Sequence, residues 1–65
     1  MNKIKKLREA HKMTQAELAE RVGVGRSTVT KWENGDAIPR PKILIKLSRM
    51  FGCRIEDLIF LRRRT

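Results

Sequence analysis

The chain of 65 residues carries 16 Lys and Arg against seven Asp and Glu, a formal net charge of +9, and 40% of it is hydrophobic. This length holds one domain with a small core and excludes a deep catalytic cleft between domains, while the hydrophobic share excludes a disordered chain. The basic excess favours polyanionic partners, nucleic acid before an anionic membrane surface, and no apolar run approaches the roughly 20 residues of a membrane span.

The first predicted helix spans about residues 2–11 and is amphipathic. Apolar residues recur in it at helical spacing, with Lys and Arg between them: Ile4, Leu7 and Ala10. The start of the chain stays charged where a secretory signal peptide would become apolar. We therefore expect a cytoplasmic protein.

The second predicted helix, over about residues 15–21, begins with a capping box. Thr14 and Glu17 fit the pattern S/T-x-x-E, in which each side chain accepts a hydrogen bond from the backbone N–H of the other residue. Gly23 is expected to end this helix, because glycine tolerates the positive φ of a helix C-terminus. The inward side chains are predicted to be Leu18, Ala19 and Val22.

Three further helices are predicted, over about residues 26–33, 41–51 and 55–60. Their inward residues are expected to be Val29, Trp32, Leu44, Leu47, Phe51, Ile55 and Leu58. No strand-like alternation appears. The sequence therefore predicts an all-α domain of five short helices over residues 1–61, followed by a basic tail at 62–65.

Residues 15–34 have the length and residue types of a helix-turn-helix. Two short helices are joined by a very short connection, Gly23-Val24-Gly25. Ala19 is small at the point where the helices cross. The other constrained positions are apolar: Leu18, Val22, Val24, Val29 and Trp32. An ordinary αα-corner in a small bundle is the alternative.

The outer face of the third helix is free of acidic residues until Glu33. Its side chains are Arg26, Ser27, Thr30 and Lys31, with Thr28 beside them. All of them can donate hydrogen bonds to base edges or phosphates, and Arg paired with guanine is the commonest specific base contact. The second helix instead exposes Glu17, Glu20 and Arg21, which suits a helix that lies outside the DNA groove.

These motifs resemble the lambda-repressor-like, or XRE-type, helix-turn-helix regulators, which include phage repressor and Cro proteins. The resemblance covers about residues 3–60, and its most characteristic stretches are Gln15-Ala16-Glu17-Leu18-Ala19 and Trp32-Glu33-Asn34-Gly35. It implies a five-helix fold and sequence-specific binding of double-stranded DNA through the major groove. It further implies a transcriptional regulator, which we expect to be a repressor, acting as a homodimer on a palindromic operator in the cytoplasm of a prokaryote.

The resemblance assigns roles to matched positions of this chain. Gln15 resembles a glutamine that contacts a phosphate and braces the recognition helix, and Asn34 matches a phosphate contact after that helix. The base-reading positions match Arg26, Ser27 and Lys31. Arg8 and Glu33 match a partly buried ion pair. Their apolar neighbours favour a structural bridge over an exposed pair, which would contribute little to stability.

The chain departs from the family at several positions. Gly25 stands where the family often has Ser or Thr as N-cap of the recognition helix, so the capping hydroxyl is lost. Arg54 stands where a Ser cap is common, so we expect the fifth helix to fray. Ser48 replaces an alanine, and its hydroxyl can bond back to the helix backbone.

The C-terminal segment carries three consecutive apolar residues, Ile59, Phe60 and Leu61. A small monomer has little room to bury all three, so we predict a homodimer interface here in preference to simple core packing. Arg62, Arg63 and Arg64 follow them. This tail is equally consistent with a phosphate grip and with a solvated terminus.

Catalysis and metal binding find no support in the sequence. One cysteine, Cys53, cannot form an internal disulfide, and with one histidine, His11, it cannot build a zinc site. No activated nucleophile, paired carboxylate or Gly-rich phosphate loop is present, so we predict no enzyme, no cofactor and no small-molecule ligand. Two alternatives remain: an antitoxin-type module that also regulates its own operon, and a nonspecific polyanion or membrane-surface binder.

Overall fold

Five helices account for most of residues 3–58, the part of the chain that the computed structural model describes. They are α1 (Ile4–Ala10), α2 (Gln15–Val22), α3 (Arg26–Asn34), α4 (Pro41–Phe51) and α5 (Ile55–Leu58). Residues 3–58 contain no strand, so the predicted all-α class and helix order are confirmed. The predicted dimer segment, Ile59 to Leu61, lies outside the described residues, as does the basic tail.

A single apolar core joins the five helices. Its buried members are Ile4, Leu18, Ala19, Val22, Val29, Trp32, Leu44, Leu47, Phe51 and Leu58. Burying a large apolar side chain contributes about 1.5–3 kcal/mol, so α3 is held mainly through Val29 and Trp32. The burial of Trp32 confirms its predicted place in the core.

The buried face of α1 differs from the predicted stripe. Ile4 is buried and Leu7 is half-buried, but Ala10 is exposed and Arg8 is buried instead. Positions four residues apart lie on the same helix face, so Arg8 follows Ile4 into the interior. A charged side chain is tolerated there because acceptors surround its guanidinium, as described below.

Hydrogen bonds to the backbone mark both ends of α2. The capping box of α2 is confirmed, since the Glu17 N–H donates to Thr14 Oγ1 at 3.0 Å and the Thr14 N–H donates to Glu17 Oε1 at 2.8 Å. Gly23 has φ 79° and its N–H donates to the Ala19 carbonyl at 2.9 Å. α3 then begins at Arg26, after the N-cap residue Gly25, which has extended backbone and makes no side-chain cap.

The remaining helices close the core from the other side. In α4 the Ser48 hydroxyl donates to the Ile45 carbonyl at 2.8 Å, as its position predicted. In α5 Leu58 is buried, whereas Ile55 is 37% exposed, so the prediction that Ile55 points inward was wrong. A helix of one turn can turn only part of its surface to the core, and Leu58 takes that place.

Candidate nucleic-acid interface

The exposed face of α3 carries a cluster of polar side chains. Arg26, Ser27 and Lys31 are exposed, and their side chains make no hydrogen bond or ion pair with another residue between 3 and 58. Together with the half-buried Thr30 they line an open depression of about 430 Å³. These four residues form the outer face of α3, because helix positions three and four apart lie side by side.

Of the α3 residues predicted to bind DNA, one lies away from this cluster. Thr28 lines a separate cleft of about 230 Å³, formed with Val24, Trp32, Ala37, Ile38, Arg40 and Ile43. Asn34 is exposed at the C-terminal end of α3. The structure therefore brings four of the predicted contacts together on the outer face, with Asn34 one turn beyond Thr30 on the same side of the helix, and leaves Thr28 apart from them.

An ion pair between α1 and α3 lies behind the outer face. Arg8 Nε donates to Glu33 Oε2 at 2.6 Å and Arg8 Nη2 donates to Glu33 Oε1 at 3.2 Å, a two-pronged contact. The side chains are only 10% and 4% exposed, respectively. Arg8 Nη1 donates to the Met13 carbonyl at 2.7 Å, so the guanidinium is also anchored to the loop before α2.

Gln15 connects this ion pair to the recognition helix. Its Nε2 donates to Glu33 Oε1 at 2.9 Å, and its Oε1 accepts from the Thr30 hydroxyl at 3.1 Å. The same hydroxyl is 3.2 Å from the Arg26 carbonyl, one helical turn earlier. Gln15, the first residue of α2, thus contacts the middle of α3 at Thr30 and its C-terminal part at Glu33, and so braces the recognition helix. Sequence reasoning gave no sign that Thr30 belongs to this network.

The electrostatics of the network keep both partners of the pair ionised. Burial acts to raise the pKa of Glu33, but the hydrogen bonds from Arg8 and Gln15 and the charges of Arg8 and Lys5 outweigh it, so the pKa lies below its ordinary value. The hydrogen bond to Glu33 raises the pKa of Arg8 further, against the opposing effect of burial. Glu33 is therefore an acceptor only, and Arg8 a donor only.

Outside this interface, three features of the described residues bear on other functions. Residues 3–58 hold no group of three or more His, Cys, Asp or Glu side chains placed to bind a metal. Burial, with a smaller effect of the Asp57 charge, raises the pKa of the half-buried Cys53 thiol, which makes it a poorer nucleophile. None of the described helices has the length and apolar character required to cross a membrane.

The outer surface of α2 differs from that of α3. Glu17, Glu20 and Arg21 are exposed on it, as predicted. They line another cleft, of about 460 Å³, together with His11, Lys12 and Met13. This surface carries both acidic and basic side chains, whereas the four residues of the outer face of α3 include two cations and no carboxylate.

Comparison with known proteins identifies the family. A family model described as helix-turn-helix matches residues 4–58. A protein named as an uncharacterized HTH-type transcriptional regulator of Methanocaldococcus jannaschii is 40% identical over 57 residues, covering 88% of this chain and 86% of the relative. Proteins with similar names are 45% identical over 56 residues in Archaeoglobus fulgidus (86% and 79% covered) and 38% identical over 60 residues in Bacillus subtilis (92% and 91% covered).

Proposed function

Because this chain belongs to the helix-turn-helix family of DNA-binding transcriptional regulators, we propose that it is a sequence-specific repressor. In this proposal a homodimer binds a palindromic operator, and each copy places α3 in the major groove. The protein would then act in the cytoplasm, on the nucleoid of a prokaryote or phage.

The observation that carries the proposal is the outer face of α3. Arg26 and Ser27 lie in the first turn of the helix, and the N-terminal part of a recognition helix meets base edges in this motif. The side chains of Arg26, Ser27 and Lys31 are exposed and have no partner among residues 3–58. They can therefore turn to DNA without breaking an interaction in the fold, and Arg26 can pair with a guanine.

Repression is supported by a simple steric argument. A protein that occupies an operator overlapping a promoter blocks the transcription machinery without needing a second interaction. Activation requires in addition a surface that contacts that machinery. Since recognition alone suffices for repression, it is the function that the described residues support most directly.

A homodimer is supported by the geometry of the motif. One recognition helix reads only a few base pairs, so two copies are normally placed about 34 Å apart on a palindrome. The apolar segment Ile59, Phe60 and Leu61 supplies the contact in this proposal. Sedimentation of wild type and Phe60→Asp, with and without operator, tests it: a folded variant with unchanged dimerisation and operator affinity would place the interface elsewhere.

Selection of bound duplexes from a random library tests the function as a whole. We expect an enriched site with two inverted half-sites whose centres lie about one helical turn apart. An enriched site without a repeat would leave sequence-specific binding in place and contradict the dimer. Recovery of unenriched DNA would contradict sequence-specific binding and favour a nonspecific polyanion binder.

A further inference from the structure

Thr30 occupies a special position, because it belongs both to the outer face of α3 and to the network behind it. Its side chain lines the depression that Arg26, Ser27 and Lys31 also line. Its hydroxyl is hydrogen-bonded to Gln15, which in turn contacts Glu33. What Thr30 can offer to DNA therefore depends on how the network uses its single proton.

The hydroxyl proton of Thr30 is directed into the protein. A Thr hydroxyl has one proton to donate and two lone pairs to accept with. Two acceptors lie within reach of it, Gln15 Oε1 at 3.1 Å and the Arg26 carbonyl at 3.2 Å. Neither acceptor can donate in return, so the contact has only one possible direction. The lone pairs of Thr30 Oγ1 remain for a ligand.

The ion pair fixes the orientation of Gln15, and with it the direction of this hydrogen bond. Glu33 Oε1 accepts from both Arg8 and Gln15. If the Gln15 amide were reversed, its oxygen would face an ionised carboxylate, which is repulsive. Gln15 therefore points its nitrogen at Glu33 and its oxygen at Thr30. Donation runs inward from Thr30 through Gln15 to Glu33, which also accepts from Arg8.

From this geometry, and resting on the proposed DNA-binding function, we infer that Thr30 is a specificity-determining residue that accepts a hydrogen bond from the exocyclic amino group of an adenine or a cytosine. In the major groove, adenine N6 and cytosine N4 donate, whereas guanine O6 and N7 and thymine O4 only accept. A hydroxyl that offers only lone pairs distinguishes the amino bases from the keto bases on the strand it contacts. One position of each half-site should accordingly prefer A or C over G or T.

Ser27 provides the internal contrast. Its hydroxyl lies on the same face of the helix but makes no hydrogen bond with another residue between 3 and 58. It can rotate to donate or to accept, so it carries no amino-versus-keto preference of its own. The difference between the two hydroxyls comes from Gln15 and the helix backbone, not from the residue type.

The test compares library selections for wild type, Thr30→Val, Thr30→Ser and Thr28→Val. Thr30→Val removes the hydroxyl and keeps the shape of the side chain nearly constant, whereas Thr30→Ser keeps the hydroxyl. Thr28→Val makes the same chemical change on a different side of the helix. We expect the preference for A or C at one position to disappear in Thr30→Val and to persist in the other two. Circular dichroism checks that each variant is folded.

Removal of the amino group itself gives a second, independent measurement. At the affected position, adenine is replaced by purine without its 6-amino group, or cytosine by 2-pyrimidinone without its 4-amino group. Wild type and Thr30→Ser should lose about 3- to 10-fold in affinity, the value of one hydrogen bond. Thr30→Val should show no loss of affinity when the amino group is removed. Because the weakened base pair is the same for every variant, Thr30→Val also controls for that change in the DNA.

The outcomes separate this inference from the function on which it rests. If wild type enriches no site, sequence-specific binding itself is wrong. If a site is enriched but the Thr30→Val selection matches that of wild type, or removal of each A or C amino group in turn leaves wild-type affinity unchanged, the role of Thr30 is overturned. The measurement on wild type decides the question even if Thr30→Val does not fold.

Discussion

The two faces of α3 are built in opposite ways. The inner face is fully committed within the protein: Val29 and Trp32 are buried in the core, and Glu33 accepts three hydrogen bonds from Arg8 and Gln15. On the outer face, the side chains of Arg26 and Lys31 are exposed and have no partner among residues 3–58. Thr30 belongs to both, since its hydroxyl is bonded to Gln15 while its side chain lines the open depression of the outer face.

This difference teaches that folding and recognition are assigned to different residues of one short helix. A side chain with partners in the fold is expected to affect stability when it is removed. A side chain without partners is expected to affect binding alone. Substitutions on the two faces should therefore separate the free energy of unfolding from the affinity for DNA.

The largest effect is expected from the ion pair on the inner face. Arg8→Met leaves Glu33 buried and uncompensated, which should lower the free energy of unfolding by about 3 kcal/mol. Adding Glu33→Leu should recover much of this loss, though not all, because the Met13 carbonyl and Gln15 Nε2 also lose partners. Denaturant unfolding of the two single variants and the double variant measures the coupling. Strictly additive losses would show that the two residues do not stabilise each other.

The outer face should give a smaller effect, and one confined to binding. Arg26→Ala should cost about 1–3 kcal/mol on the selected operator and relax the preference at one base pair, while the melting temperature stays within a degree or so of wild type. Arg21→Ala removes another exposed arginine, from the outer surface of α2, and serves as the matched control. Equal losses by Arg26→Ala on operator and random duplexes would argue against base reading.

Acid should act on the inner face only. Because the pKa of Glu33 is lowered in the fold, its charge stabilises the protein fully above the ordinary value of 4.5, and this stabilisation is lost as the pH falls through 4.5 and then through the lower folded value. The loss should be smaller than that in Arg8→Met, since a protonated Glu33 still accepts hydrogen bonds. Unfolding measured from pH 6 to pH 3 should show a shallower decline for Glu33→Gln than for wild type; parallel curves would rule out this contribution.

The smallest effect on stability is expected at Gly25, the residue that precedes α3. Gly25 has ordinary extended backbone, and an added Cβ would meet nothing closer than Ser27 Oγ at 4.0 Å. Gly25→Ser should therefore add a cap and stabilise the fold by about 0.5 kcal/mol. Gly23→Ala, at a φ of 79°, is the contrasting control and should destabilise by roughly 1 kcal/mol. A loss of stability in Gly25→Ser would mean that the start of α3 has no room for a capping side chain.

Much of the fold could be predicted because it depends on local sequence. The capping box of Thr14 and Glu17 and the end of α2 at Gly23 each follow from a few neighbouring residues. The helix bounds agree to within two residues throughout the described chain. Ala10 and Ile55 were misjudged because both lie at the ends of short helices, where spacing alone does not show which side chain reaches the core.

The site was less predictable, since its important contacts join distant parts of the chain. The outer face of α3 follows from helical spacing, but Thr28 lies at a different cleft, because successive residues of a helix are rotated by about 100°. The direction of the Thr30 hydroxyl depends on Gln15, 15 residues away, and on Glu33 beyond it. No local pattern carries that information, because it arises only when α1, α2 and α3 are packed together.

The central claim is that the outer face of α3 gives this domain a preference for one DNA sequence. The most direct measurement is the affinity of wild type for the selected operator and for a random duplex of equal length, across a series of salt concentrations. Both affinities should fall as salt rises, because both include phosphate contacts, but the operator should remain preferred by roughly 10³-fold or more near physiological salt. Equal affinities for the two duplexes at every salt concentration would contradict the claim.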